Sequence, residues 1–163
     1  MKKIVIIGLG NPILTDDSIG IKVARQLLTH FYGSEKVDVK EIYAGGIRLL
    51  DVLVGYDRAI IIDAILTKEN IPGRIHYLTP DDIRTTRNMV CVHDMNLPTA
   101  LALGSLLEMP LPSQINIWGI EGADLESFGE SLTKEVEQVV PKVVNAIIER
   151  IEQWFECIQP IGA

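Results

Sequence analysis

Residues 3–20 read KIVIIGLGNPILTDDSIG. The run from Ile4 to Ile7 is β-branched on every side chain and shows no alternation. That is the mark of a parallel strand covered on both faces. A glycine turn follows, then a helix pattern from about Asp17 to Phe31, with Ile21, Ala24, Leu27, Leu28 and Phe31 at helical spacing. Strand, glycine turn and helix together usually cradle a phosphate at the helix N-terminus. Here the turn ends in two adjacent aspartates, Asp16 and Asp17, where the anion would sit.

The nucleotide readings fail on the residues. Gly8 and Gly10 supply two glycines of a G-x-G-x-x-G turn, but Ile13 takes the third place. The second strand pattern, VKEIYAGG, does not end in the acidic residue that a ribose needs, and no G-K-S/T follows the turn. A turn that presents carboxylates suits a cation. The plainer alternative is that Asp16 or Asp17 caps the following helix, where backbone N–H groups lack partners.

Outward from this stretch the chain alternates. KVDVKEIYAGG reads as a strand closed by Gly45 and Gly46, IRLLDVLVG as a short helix, and DRAIIIDAI as a second doubly buried strand. GRIHYLTP is a strand closed by Pro80, NLPTALALGSLLE a helix starting near Pro98, and SQINIWGIE a strand. The polar stretch 81–98, DDIRTTRNMVCVHDMNLP, is expected to be an irregular functional loop. A final helix is expected over about 133–155, with Pro141 either kinking it or marking its true start. Strands alternating with helices predict one α/β domain over residues 1–163. It is a three-layer αβα sandwich, with about five mostly parallel strands and helices on both faces.

The 163 residues suit one core, and 47% hydrophobic with 23% charged residues is an ordinary globular mix. A net charge of -7 argues against a nucleic-acid partner, whose phosphates need a basic face; Arg84 and Arg87 are the only loosely clustered basic pair. Cys91 and Cys157 form no C-x-x-C and read as free thiols of a cytoplasmic protein. The apolar start is too short and too interrupted for a signal segment, and no run is long enough to span a membrane.

H-E-x-x-H, G-x-S-x-G and C-x-x-C are all absent, which leaves Asp, Glu and His as the carriers of chemistry. In an open α/β sheet ligands bind beyond the carboxyl ends of the strands. Asp17 follows the first strand, Asp63 ends the apolar run AIIID, and His93 lies in the polar loop before NLPTALAL. Two carboxylates and one imidazole suit a borderline divalent ion with open positions for water or substrate. Each has a structural alternative: a helix cap for Asp17, a pair with Arg58 or Lys68 for Asp63, and a loop hydrogen bond for His93. Asp94 is a candidate to orient His93. His30 and His76 read as structural, and Cys91 as a small buried hydrophobe.

At this point a resemblance appears. GLGNPILTDDSIG resembles the opening motif of the nickel–iron hydrogenase maturation endopeptidases, with Gly8, Gly10, Asn11, Leu14, Asp16, Asp17 and Gly20 in place. GGIRLLDVLVGYDRAIIIDAI, VHDMNLPTALALG and IWGIEGADLESFGESLTKEVEQVVPKVVNAI follow in the family's order. The resemblance implies a twisted sheet with helices on both faces. It implies removal of a C-terminal extension from a hydrogenase large-subunit precursor after nickel insertion. The family's metal-contacting positions fall on Asp17, Asp63 and His93, so the cofactor implied is the substrate's nickel and the partner is the precursor. Asp16 and Asn11 would then shape the loop, and the protein would act as a monomer. Ser18 and Gly122 depart from the family's usual residues.

Three other readings stand beside this one. IGLGNP resembles the start of bacterial peptidyl-tRNA hydrolases, but TDDSIG lacks their catalytic histidine. The same three residues would also serve a nickel-binding chaperone that grips the precursor without cutting it. A general metallopeptidase with a resident metal is the third.

Overall fold

A computed structural model describes residues 3–43, 47–85, 89–91 and 97–156. The chain runs β1 (Ile4–Leu9), a 3-10 turn (Asp16–Ser18), α1 (Ile19–His30), β2 (Val37–Ile42), α2 (Ile47–Leu53) and β3 (Arg58–Thr67). It continues with β4 (Ile75–Leu78), α3 (Pro80–Thr85), β5 (Met89–Cys91), α4 (Leu97–Leu106), β6 (Gln114–Glu121), α5 (Lys134–Glu137) and α6 (Val140–Glu156). The strand order is β2-β1-β3-β6-β4, with β5 attached to β3. The pairs β1–β2, β1–β3 and β3–β6 are parallel, while β4 and β5 run antiparallel to their neighbours.

The sheet is covered on both sides, and alternate residues of the central strands divide between two cores. Ile4, Ile6, Ile60, Ile62, Trp118 and Ile120 face Ile19, Val23 and Leu27 of α1 and Val143, Ile147 and Ile151 of α6. Val5, Ile7, Ala59, Ile61, Ile115 and Ile117 face Leu49 and Leu53 of α2 and Leu97 of α4. This is why β1 and the middle of β3 carry unbroken apolar runs: both faces of each strand are removed from water. The expected αβα sandwich is therefore what the chain adopts.

One expectation changes and one alternative is decided. The stretch 81–98 is not wholly irregular: α3 and the three-residue β5 lie in it, the latter held by Cys91↔Ile65 and Met89↔Thr67 register. Pro141 marks a start: α5 ends at Glu137 and α6 begins at Val140, so the missing N–H falls in the first turn, where no intrahelical partner exists. Among the described residues no helix is long and apolar enough to cross a membrane.

Two glycines bring α1 down onto the sheet. A Cβ on Gly20 would lie 2.2 Å from the carbonyl oxygen of Leu9 and 2.4 Å from that of Ile62. A Cβ on Gly8 would lie 2.3 Å from the carbonyl oxygen of Gly20. Only bare backbone allows the helix to begin between the carboxyl ends of β1 and β3.

Candidate active site at the carboxyl edge of the sheet

The turn after β1 is built by its own side chains. The carboxamide oxygen of Asn11 accepts from the N–H of Ile13 at 3.2 Å, and Leu14 N–H returns to the carbonyl of Asn11 at 3.2 Å. Gly10 has φ +154, and a Cβ there would meet the carbonyl oxygen of Asp17 at 2.2 Å. The turn is thus folded onto the Asp16–Ser18 segment, and the N–H of Asn11 donates to Asp17 Oδ2 at 3.0 Å. Asn11 thus shapes the turn through its side chain and holds the Asp17 carboxylate through its backbone.

The two aspartates serve different segments. Asp16 is fully buried and accepts four hydrogen bonds: Ala123 N–H and Asp124 N–H to Oδ2 at 2.8 and 3.0 Å, Thr133 N–H to Oδ1 at 2.8 Å, and Thr133 Oγ1 to Oδ2 at 2.8 Å. It is a clamp on the loop after β6. Asp17 is 1% exposed and faces the glycine turn. Neither caps α1. The N-cap residue is Ser18, which makes no side-chain capping bond, and whose hydroxyl donates instead to Thr15 O at 2.7 Å. The helix-cap reading of Asp17 is therefore overturned.

Asp63 lies at the carboxyl half of β3, fully buried, in register with Gly119 of β6. It occupies the odd-numbered face, which α2 and α4 cover. Its alternative partner Arg58 is elsewhere: Arg58 Nη1 donates to Trp154 O at 3.0 Å, and the guanidinium lies 5.2 Å from the Trp154 ring centroid. Asp17 and Asp63 come from abutting segments, because Gly20, in the first turn of α1, lies so close to β3 that a Cβ on it would sit 2.4 Å from the carbonyl oxygen of Ile62, the residue before Asp63. The burial of two carboxylates on neighbouring segments is costly unless each has a partner of opposite character. Two oxygen donors of this kind are the right chemistry for a divalent ion.

His93, the third expected ligand, lies outside the described residues, as do Arg87, Asp94, Gly45, Gly46 and Cys157. Among the described residues no group of three or more His, Cys, Asp or Glu side chains is placed to hold a metal ion.

A further buried acid was not singled out by sequence. Glu121, which ends β6, is 1% exposed. Its Oε1 lies 2.6 Å from His76 Nε2 and 3.7 Å from Arg74 Nε, and its Oε2 accepts from the N–H of Ile71 at 2.6 Å. Burial raises this carboxyl, but hydrogen bonds from His76, the Ile71 N–H and Thr67 outweigh it and hold the group below its ordinary 4.5. The signal was present: Glu121 is a charge ending an apolar strand, as Asp63 is a charge after the apolar run AIII. His76 is structural, as expected, tying β4 to β6. Gly122 follows, where a Cβ would meet Leu125 Cδ2 at 2.5 Å and Asp16 Cβ at 3.2 Å.

Comparison with known proteins agrees with this architecture. Residues 21–150 match the family model described as HycI, hydrogenase maturation protease. That span contains Asp63 and His93 but begins after Asp17. The chain is 24% identical over 152 residues to the hydrogenase 2 maturation protease of Escherichia coli, covering 93% of this chain and 92% of that protein. It is 22% identical to the hydrogenase expression/formation protein HupD of Rhizobium leguminosarum, covering 99% of this chain and 81% of that one. Among solved structures, the maturating endopeptidase HybD of E. coli superposes with a TM-score of 0.76 at 24% identity, over 93% of both chains. The maturation protease HybD of Thermococcus kodakarensis gives 0.69 at 26% identity, over 91% of this chain and 98% of that one.

Proposed function

The chain belongs to the hydrogenase maturation protease family and is a hydrolase, and from that premise we propose that it cuts the C-terminal extension from a nickel–iron hydrogenase large-subunit precursor after nickel insertion. The observation that carries this reading is the pair of buried carboxylates on abutting segments, Asp17 in the turn that follows β1 and Asp63 in the carboxyl half of β3.

The nickel is part of the substrate. Asp17, Asp63 and His93 contact it when the precursor docks, and this contact checks that the metal has been loaded. Held by these residues, the substrate's nickel would supply Lewis-acid chemistry at the nearby peptide carbonyl. Water adds to the carbonyl carbon, the C–N bond breaks, and the extension leaves with a free amine. Asp17 is presented in one orientation by the Asn11 N–H, and Asp16 keeps the adjoining loop closed over the same turn. The protein acts as a monomer that docks transiently on a larger partner. An aspartic-type mechanism, in which the carboxylates act without metal, predicts cleavage of nickel-free precursor.

The test is intact-mass measurement of precursor, loaded with nickel or nickel-free, after incubation with the protein. Loss of the C-terminal peptide from the loaded form only is the expected result. A loaded precursor of unchanged mass refutes the protease reading and leaves a non-cleaving chaperone.

A further inference from the structure

Strand β2 stands at one edge of the sheet, and among the described residues it pairs only with β1. The N–H of Ile4 donates to Lys36 O at 2.9 Å, and the N–H of Gly10 donates to Ile42 O at 3.2 Å. Between these two bonds the parallel ladder alternates, so the even-numbered residues of β2 turn their backbone groups to β1. Val37, Val39 and Glu41 turn theirs outward. The N–H of Val37 donates to Ser34 Oγ at 3.2 Å. Val39 and Glu41 each present an N–H and a carbonyl, in the spacing that a further strand requires.

Side chains frame this edge on both faces of the sheet. A groove of about 380 Å³ follows it, lined by Leu28, Tyr32, Val37 and Val39 toward α1 and by Asp38, Lys40 and Tyr56 on the other side. Leu28 is 49% and Tyr32 89% exposed. Asp38 and Lys40 are held beside one ring: the Tyr56 hydroxyl donates to Asp38 Oδ2 at 2.6 Å, and Lys40 Nζ lies 5.2 Å from the Tyr56 centroid.

These two charges select what can pair. Two copies of one strand related by a two-fold axis run antiparallel, and a ladder forms only where outward residues meet outward residues. Centred on Asp38, the pairing sets that carboxylate against its own copy. Centred on Lys40, it sets ammonium against ammonium. Centred on Val39, it joins the outward groups of Val39 to their own copies and places Asp38 opposite Lys40 on either side of the axis. Like charges directly opposite destabilise a sheet and opposite charges stabilise it. The edge is self-complementary in one register and self-repelling in its two neighbours.

We infer that two copies of this chain pair antiparallel through β2, Val39 on Val39, with Asp38 of each opposite Lys40 of the other. Main-chain bonds give the affinity, the charges fix the register, and the pairing covers Leu28 and Tyr32. The inference is independent of the protease reading. Each chain keeps its own Asp17 and Asp63, so the unit that docks on a precursor is still one chain.

The experiment is sedimentation velocity of the full chain over a wide concentration range. Wild type is expected to pass from one chain to two as concentration rises. Asp38→Lys sets lysine against lysine, and Lys40→Asp sets aspartate against aspartate. Each alone is expected to raise the pairing Kd at least about tenfold. An equimolar mixture of the two variants sets lysine against aspartate at both contacts. It is expected to restore pairing, which misfolded chains could not do. Val39→Pro keeps both charges, removes an N–H that β1 does not use, and is expected to weaken pairing. Glu149→Lys is the control: Glu149 is exposed beside Tyr77 of β4, at the opposite edge, and the change in net charge matches that of Asp38→Lys. It is expected to leave the Kd unchanged. Wild type that sediments as one chain throughout overturns the inference and leaves the edge to a different partner. Charge variants that pair as wild type does, a mixture that stays unpaired, or an equal loss in Glu149→Lys overturns the register.

Discussion

Thr133 gives two hydrogen bonds to the carboxylate of Asp16, one from its N–H and one from its hydroxyl, each 2.8 Å long, across 117 residues of chain. Asp17, the next residue, gives its carboxylate to Asn11 instead. One aspartate closes a loop and its neighbour faces the site.

This division separates two substitutions that look equivalent. Asp16→Asn puts an amide N–H against backbone donors it cannot satisfy. The expected cost is roughly 2–3 kcal/mol, a fall in Tm of about 5–10 °C. Asp17→Asn keeps an acceptor for the Asn11 N–H and is expected to cost less stability than Asp16→Asn, while losing cleavage. Calorimetric melting of the two variants checks both, and equal losses of stability would show that the aspartates share one structural task.

Gly20→Ala places a methyl group against two backbone carbonyls that cannot move without parting α1 from β1 and β3. The expected cost is about 3 kcal/mol or more. Chemical denaturation measures it directly, and a variant as stable as wild type would mean that the helix start is not seated between those strands.

Glu121 gives the stability a pH dependence with a definite sign. Its folded carboxyl lies below the ordinary 4.5. Its stabilisation is therefore complete above that value and is lost as pH falls through the lower folded value. Urea midpoints between pH 6 and pH 3 are expected to fall for wild type and to fall less for Glu121→Gln. Parallel curves would remove Glu121 from the acid limb.

A site that borrows its metal from the substrate is expected to be nearly metal-free on purification and to bind added nickel weakly. Metal analysis and calorimetric titration check this. Tightly held zinc would make the protein a resident-metal peptidase.

Much of the fold was legible because the central strands are buried on both faces. IVIIGL and AIIIDA have no amphipathic alternation to confuse them with surface strands, and α1 shows its stripe plainly. Strand β5 was not legible: three residues carry no periodicity, and its existence depends on the free edge of β3 near Ile65. Asp63 could be read as a charge ending an apolar run, and the same rule would have found Glu121. The roles of Asp16 and Asp17 could not be divided from sequence, since the donors that occupy Asp16 lie more than a hundred residues away.

The most direct measurement is single-turnover cleavage of nickel-loaded precursor by wild type, Asp17→Asn, Asp63→Asn and His93→Ala, with precursor binding measured on the same samples. The expected result is that all three variants bind the precursor, keep folded melting transitions and leave its C-terminus intact. Wild-type cleavage by any one of them would remove that residue from the site and contradict the three-residue contact with nickel.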